Sequence, residues 1–205
     1  MKKKIILGLC LAMIMSLTAI QAASGARQTN MPETQQFKPR EIKVDTDNDG
    51  TPDRLEVYNE KGIIMRLEAD TSGDGEINEW IYYRAGKPYK AEKDINADGD
   101  ADSFLVYDEE GEIIKSRSDT NDNGKVDEWV SYEDGNPIKA EKDLSGNGKA
   151  DTFLFYDSEG TVIRTEADTD GNGKTDEWVT YKDGKPHKAE KDTSGNGKPD
   201  TWIDY

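Results

Sequence analysis

The chain has 205 residues, and 43 acidic against 27 basic side chains leave a formal charge of −16 at neutral pH. Such a balance opposes nucleic acid and anionic membranes as partners, since both are engaged through basic surfaces. With 33% apolar and 34% charged residues the composition alone leans toward disorder, so an ordered fold must come from a periodic pattern.

The first 22 residues read as a secretory signal peptide: Lys2, Lys3 and Lys4, an apolar run from Ile5 to Ile20, then small residues from Ala22 to Ala26. The expected location is therefore secreted, periplasmic or at the cell surface. Cys10 lies in the middle of the apolar run behind Leu9, where lipid attachment needs a small residue, so it is not read as an anchor. The run is short for a membrane span and no later segment is apolar enough, so no span is expected in the mature chain. Loss of the segment leaves 24 basic against 43 acidic residues, a charge near −19. Residues 23–44, polar and carrying Pro32 and Pro39, read as a flexible leader.

From Asp45 to Tyr205 the chain reads as one repeat domain. A nine-residue phrase occurs seven times, with oxygen-bearing side chains at positions one, three, five and nine and glycine at position six. Its first three copies place Asp45, Asp47, Asp49 and Asp53; then Asp70, Ser72, Asp74 and Asn78; then Asp94, Asn96, Asp98 and Asp102. The next two place Asp119, Asn121, Asn123 and Asp127, then Asp143, Ser145, Asn147 and Asp151. The last two place Asp168, Asp170, Asn172 and Asp176, then Asp192, Ser194, Asn196 and Asp200. Calcium is a hard cation that takes six to eight oxygens, and this spacing aims several at one point if the backbone turns sharply at position six. Position seven then offers its carbonyl, which leaves its side chain free to be Lys125, Lys149, Lys174 or Lys198. Clusters of Asp, Asn, Ser and Gly are also ordinary turn chemistry. Seven copies with oxygens at all four positions favour metal, and calcium is the expected ligand. The first loop has four carboxylates, the third and sixth have three, and the others have two, so the first is expected to bind tightest. Glu79, Glu128 and Glu177 occupy position ten of the even loops, on strand residues expected to point away.

The loops resemble the DxDxDGxxD calcium sites of EF-hands, dockerins, thrombospondin type 3 repeats and the integrin alpha-chain propeller. An EF-hand needs a bidentate Glu at position twelve and a following helix. Here position twelve reads Glu56, Ile81, Leu105, Val130, Leu154, Val179 and Ile203. The segment after each loop is short and rich in β-branched and aromatic residues, as in Ser103 to Tyr107, and predicts a strand. The arrangement is most similar to the integrin type, which implies that position nine supplies the last carboxylate and that the loop joins β-strands.

First aspartates recur at intervals of 25, 24, 25, 24, 25 and 24 residues, a period that signals a repeat architecture. Each copy reads as loop, strand, turn and strand. Gly111 and Gly160 mark the turns of odd copies, Gly135 and Gly184 those of even copies. In the even copies Pro88, Pro137 and Pro186 come after the turn, where a missing N–H suits an edge or a strand start. In second strands, Met65 and Leu67, Tyr89 and Ala91, Ile114 and Ser116, Ile138 and Ala140, Ile163 and Thr165, and His187 and Ala189 are expected to share a buried face opposite a charged one. The column Leu55, Trp80, Phe104, Trp129, Phe153, Trp178 and Trp202 is expected to form the core. The fold class is all-β: tandem hairpins in an open solenoid or a continuous antiparallel meander, strands joined by calcium loops. Three four-strand units and a partial one are too few for a closed propeller.

Catalysis has little material. The mature chain has no cysteine, its one histidine, His187, reads as a half-buried strand residue, and nearly every acid is explained by a loop, turn or charged face. The expected function is an exported calcium-binding module, rigidified by metal, with a structural or interaction role and no enzymatic activity. The alternative is a cell-surface adhesin that binds an extracellular protein or glycan through exposed aromatics, with calcium purely structural.

Overall fold

A computed structural model describes residues 40–205; the segment read as a signal peptide and most of the expected leader lie outside the described residues. Fourteen strands succeed one another: β1 Arg40–Val44, β2 Arg54–Tyr58, β3 Ile64–Ala69, β4 Glu79–Arg84, β5 Lys87–Lys93, β6 Ser103–Tyr107 and β7 Ile113–Ser118. They continue as β8 Glu128–Glu133, β9 Asn136–Lys142, β10 Thr152–Tyr156, β11 Val162–Ala167, β12 Glu177–Lys182, β13 Lys185–Lys191 and β14 Thr201–Asp204. All fourteen lie in one open sheet in sequence order, each antiparallel to the next. The last five residues of the expected leader, Arg40–Val44, are thus the first strand of the sheet.

A meander alternates its connections between two sides, so the topology fixes where the repeats sit. All seven nine-residue loops line one long margin of the sheet, and six short turns line the other. Three turns are two-residue links, Ala85 and Gly86, Asp134 and Gly135, Asp183 and Gly184. Both residues of each have positive φ, near 50° and 75°, as hairpins of this length require. In the other three, Asn59, Asp108 and Asp157 accept backbone N–H groups with their own side chains, for example from Glu110 and Glu112 at 3.0 and 2.9 Å.

The core lies on the second-strand face expected to be buried, through Leu67, Ala91, Ser116, Ala140 and Ala189, and not with the aromatic column. Leu67, Ile81, Ala91 and Leu105 form one buried cluster, and Val130, Ala140 and Tyr156 a second. Register explains the pattern, because Ala91 stands between Ile81 and Leu105, and Ala140 between Val130 and Leu154. Large side chains of first strands alternate with small ones of second strands, which lets the large ones meet across them. The expected aromatic column occupies the other face and is only half-buried, with Trp202 exposed. There each ring is flanked by charges: Trp80 faces Glu68 and Glu92, and Arg117 lies over Phe104 at 4.9 Å. The ring column packs against glutamates and the stems of arginine and lysine, so it seals a charged surface and does not form the interior.

Strict alternation in the second strands fails for one reason, repeated six times. Each hairpin carries a register shift at a tyrosine: Tyr58, Tyr83, Tyr107, Tyr132, Tyr156 and Tyr181. The extra residues opposite these shifts are Met65, Tyr89, Ile114, Ile138, Ile163 and His187, the outer members of the pairs expected to be buried together. A bulge re-aims its side chain. Met65, Ile138 and Ile163 are accordingly 49, 42 and 44% exposed, and His187 is exposed where half-burial was expected. In exchange Ile64, Ile113 and Val162 pack on the core, together with Tyr83, Tyr107 and Tyr132.

Burial, before any neighbouring charge, pushes the Tyr107 and Tyr156 hydroxyls up to about 12. Because the folded state holds these protons more tightly than the unfolded chain, their contribution is complete below pH 10 and is lost as pH rises from 10 toward 12. Thermal midpoints should therefore fall across that alkaline window and be flat just below it. Phenolate absorbance rising near pH 10 for all tyrosines, with no fall in midpoint, would contradict this burial.

Candidate metal loops

The seven loops share three internal hydrogen bonds. The N–H at position six donates to the carboxylate at position one in every copy, as from Gly99 to Asp94 at 2.9 Å. The N–H at position two donates to the side chain at position nine, as from Thr169 to Asp176 at 3.0 Å. The N–H at position seven donates to the side chain at position five, as from Lys174 to Asn172 at 2.9 Å. Positions four and six both adopt positive φ. Position four tolerates this with glycine in four loops, and with Asn48, Ala97 and Asp122 at 64°, 61° and 56° in the others.

These bonds also set electrostatics. Partial burial works the other way, but the Gly73 and Gly75 N–H groups hold the Asp70 carboxyl below the usual carboxylate value. Asp143, Asp151 and Asp192 are held low by backbone N–H groups against the same opposing burial. At Asp53 and Asp200 the hydroxyl and N–H of Thr46 and Thr193 dominate, again lowering them. Asp53, Asp70, Asp143, Asp151, Asp192 and Asp200 thus stay ionised to lower pH than free aspartates.

The loops are joined to one another, which their spacing did not reveal. The N–H at position one donates to the carbonyl at position nine of the preceding loop: Asp70 to Asp53 at 2.7 Å, Asp119 to Asp102 at 2.8 Å, Asp192 to Asp176 at 2.9 Å. One continuous row of backbone bonds therefore runs along the loop margin.

Convergence of carboxylates differs between copies. Asp45, Asp47 and Asp49 have carboxylate oxygens within 4.8 Å of one another, and so do Asp168, Asp170 and Asp176. These are positions one, three and five of the first loop, and one, three and nine of the sixth. Asp53 stands apart from the first group, its carboxylate taken by the Thr46 N–H and hydroxyl. In the third loop, Asp102 accepts from Ile95 and Asn96 at 2.8 and 3.2 Å. In the fourth, the amide of Asn121 donates to Asp127, so presenting oxygen to a cation requires that amide to turn over. The position-ten glutamates face away from the loops: Glu79, Glu128 and Glu177 pair with Lys93, Lys142 and Lys191 at 3.9, 2.8 and 2.7 Å.

The donor set fits calcium in kind. It consists wholly of carboxylate, amide and hydroxyl oxygens, with no nitrogen or sulfur ligand nearby to favour a softer metal.

No family model matches the sequence, and no curated relative matches it. Among solved structures, an S. aureus TarM mutant in complex with fondaparinux, alpha-GlcNAc-glycerol and UDP aligns at a TM-score of 0.28 and 16% identity, over 44% of this chain and 19% of that one. A second TarM structure gives 0.28 and 17% over the same shares. Accessory secretory protein 1, 2 and 3 of Streptococcus pneumoniae gives 0.24 and 12%, over 67% of this chain and 20% of that one. The chain spans about a fifth of each, and likenesses this weak carry no argument.

Proposed function

We propose that the chain is an exported calcium-binding repeat protein, a metal-rigidified structural or interaction module. The observation that carries this is the convergence of Asp45, Asp47 and Asp49, and of Asp168, Asp170 and Asp176, in loops whose backbone already fixes the carboxylates. Calcium, when bound, supplies the positive charge that lets such carboxylates remain together. The chain contributes the rest: backbone N–H groups orient the acids before binding, and the shared backbone bonds carry the ordering of one loop to the next. Export is inferred from the basic and apolar N-terminal pattern.

Calorimetric titration of the purified chain tests this. Calcium sites in the range of about 10⁻⁴ to 10⁻³ M are expected, with the first loop tightest. The double change Asp47→Asn, Asp49→Asn should remove that tightest site and leave the fold intact. Asparagine still accepts the Asp49 and Thr51 N–H groups, as Asn123 does for Lys125. No calcium heat from the wild type, or an unchanged titration in the double variant, would sink the assignment.

One observation favours a second reading, an adhesin with calcium as scaffold. A groove of about 520 Å³ is lined by Trp80, Tyr82, Glu92 and Phe104 on the sheet face and by loops three and four at its margin. Aromatic rings beside carboxylates suit a glycan or a peptide. Trp80→Ala separates the readings: lost ligand capture with an unchanged melt supports the adhesin, and an unchanged capture excludes this groove.

A further inference from the structure

Among the described residues two strands, β1 and β14, have a neighbour on one side only, and an unpaired edge is a template for another chain. These edges are opposite halves of one unit. β14 comes after a loop, as β2, β4 and β12 do, and each of those goes on to pair with a strand that runs into the next loop. β1 is a strand of that second kind: Lys38, Pro39 and Ile42 ahead of Asp45 occupy the places of Lys185, Pro186 and Ala189 ahead of Asp192. We infer that β14 of one copy pairs with β1 of a second copy, so that two half-hairpins complete each other and the sheet continues across the junction.

Backbone direction agrees. The Tyr205 N–H donates to the His187 carbonyl at 3.0 Å, which turns Trp202 and Asp204 outward, because alternate residues of a strand face opposite neighbours. At β3, the Asp70 N–H reaches back to the preceding loop while the Ala69 carbonyl accepts from Asn78 ahead. By the same phase Asp45, Lys43 and Glu41 turn outward on β1. The repeat register sets Trp178 against Glu190 and Val179 against Ala189. Applied to the edges, it sets Trp202 against Lys43, Ile203 against Ile42 and Asp204 against Glu41. The Asp45 N–H then meets the Asp200 carbonyl, the join that links every other pair of loops.

Burial shows what the edge lacks. Ile203 is 40% exposed, where Ile81, Leu105 and Val130 in the same row are 5, 1 and 3% exposed. Trp202 is 58% exposed, and Lys43 falls in the row from which Arg117 covers Phe104. One feature opposes pairing. Arg66, Lys90, Lys115, Lys139, Arg164 and Lys188 fill the row in which β1 has Glu41, and Glu41 would face Asp204. A single exposed like-charge pair weakens association only about threefold, against a full ladder of backbone bonds and a covered isoleucine pair. The junction is head-to-tail, so it repeats along a row of copies.

Sedimentation equilibrium of the purified chain over a range of concentrations, in EDTA and in millimolar calcium, tests the pairing whether or not the loops bind metal. A mean mass that rises with concentration is expected in at least one condition. Lys43→Pro should abolish the rise, since its missing N–H lies on the outer side of an edge strand, where proline is tolerated. Glu41→Lys should tighten association about threefold. Monomer mass at every concentration in both conditions overturns the inference, as does association that Lys43→Pro leaves unchanged. Should Lys43→Pro lose its strand signal in circular dichroism, Glu41→Lys decides: tightening supports the pairing and no change overturns it.

Discussion

Leu105→Ala should lower the unfolding free energy by about 3 kcal/mol, read as a drop in the urea midpoint at constant slope. Leu105 is 1% exposed and the largest fully buried side chain among the described residues. Its cross-strand neighbours, Ala91 and Ser116, are too short to fill the space it leaves. The tyrosines that close over this row, Tyr83 and Tyr107, are held by bulged backbone and collapse poorly into a void. Trp129→Ala removes a larger side chain, yet Trp129 is half-buried on the charged face between Arg117 and Glu141, so it should cost less, about 2 kcal/mol. The order of the two is the test. If Trp129→Ala proves the more damaging, the interior lies with the aromatic column and the account of the core is wrong.

Class and topology were legible because their signals are local. Glycine-marked turns, β-branched runs and the 24- and 25-residue spacing dictate hairpins in sequence order, and the structure is one antiparallel meander. The buried face of Ala140 and Ser116 was legible from strand alternation, but the aromatic column was also assigned to the core because hydrophobicity alone ranks Trp129 and Phe153 above them. Shape decides burial here. Ala140, with 0% exposure, is interior because Val130 and Leu154 stand on either side of it in the next strands. That pairing is nonlocal and no single strand shows it. The bulges were hidden for a related reason, since a bulge adds one residue without changing composition. A signal was nonetheless present: a tyrosine at the end of every first strand, from Tyr58 to Tyr181, at the place where each register shifts.

For the loops, ligand spacing could be read directly from the chain, and the shared internal hydrogen bonds arise from it. The convergence of their carboxylates could not be read. Counting carboxylates ranks the third loop with the sixth, but only the sixth brings three carboxylates within 4.8 Å. The difference lies at position three, which is Asp170 in the sixth loop but Asn96 in the third, whose carboxylates sit at positions one, five and nine; the backbone claims position nine alike in both, two N–H groups sharing one oxygen of Asp102 and of Asp176. Whether the carboxylates of a loop converge depends also on side-chain torsions that spacing does not specify.

The second large effect concerns the metal. Without Lys2, Lys3 and Lys4, the lysines of the proposed export segment, the chain carries a charge near −19, and seven loops crowd acids along one margin of a sheet that has a single layer. Seven calcium ions would reduce that to about −5, as each brings two positive charges. A site whose dissociation constant is a tenth of the free calcium concentration adds about 1.4 kcal/mol to folding, and the first and sixth loops together about 3 kcal/mol. In a chain of this size that raises the melting midpoint by roughly 10 °C, and occupation of weaker loops raises it further. Magnesium should do little, because it demands tight octahedral geometry and sheds water reluctantly. The decisive measurement is the thermal melt of the purified chain by circular dichroism in excess EDTA, in millimolar calcium and in millimolar magnesium. A calcium-specific rise of that size is predicted; identical melts in all three would mean that the seven Asp-Gly loops are turns without metal, and would contradict the account.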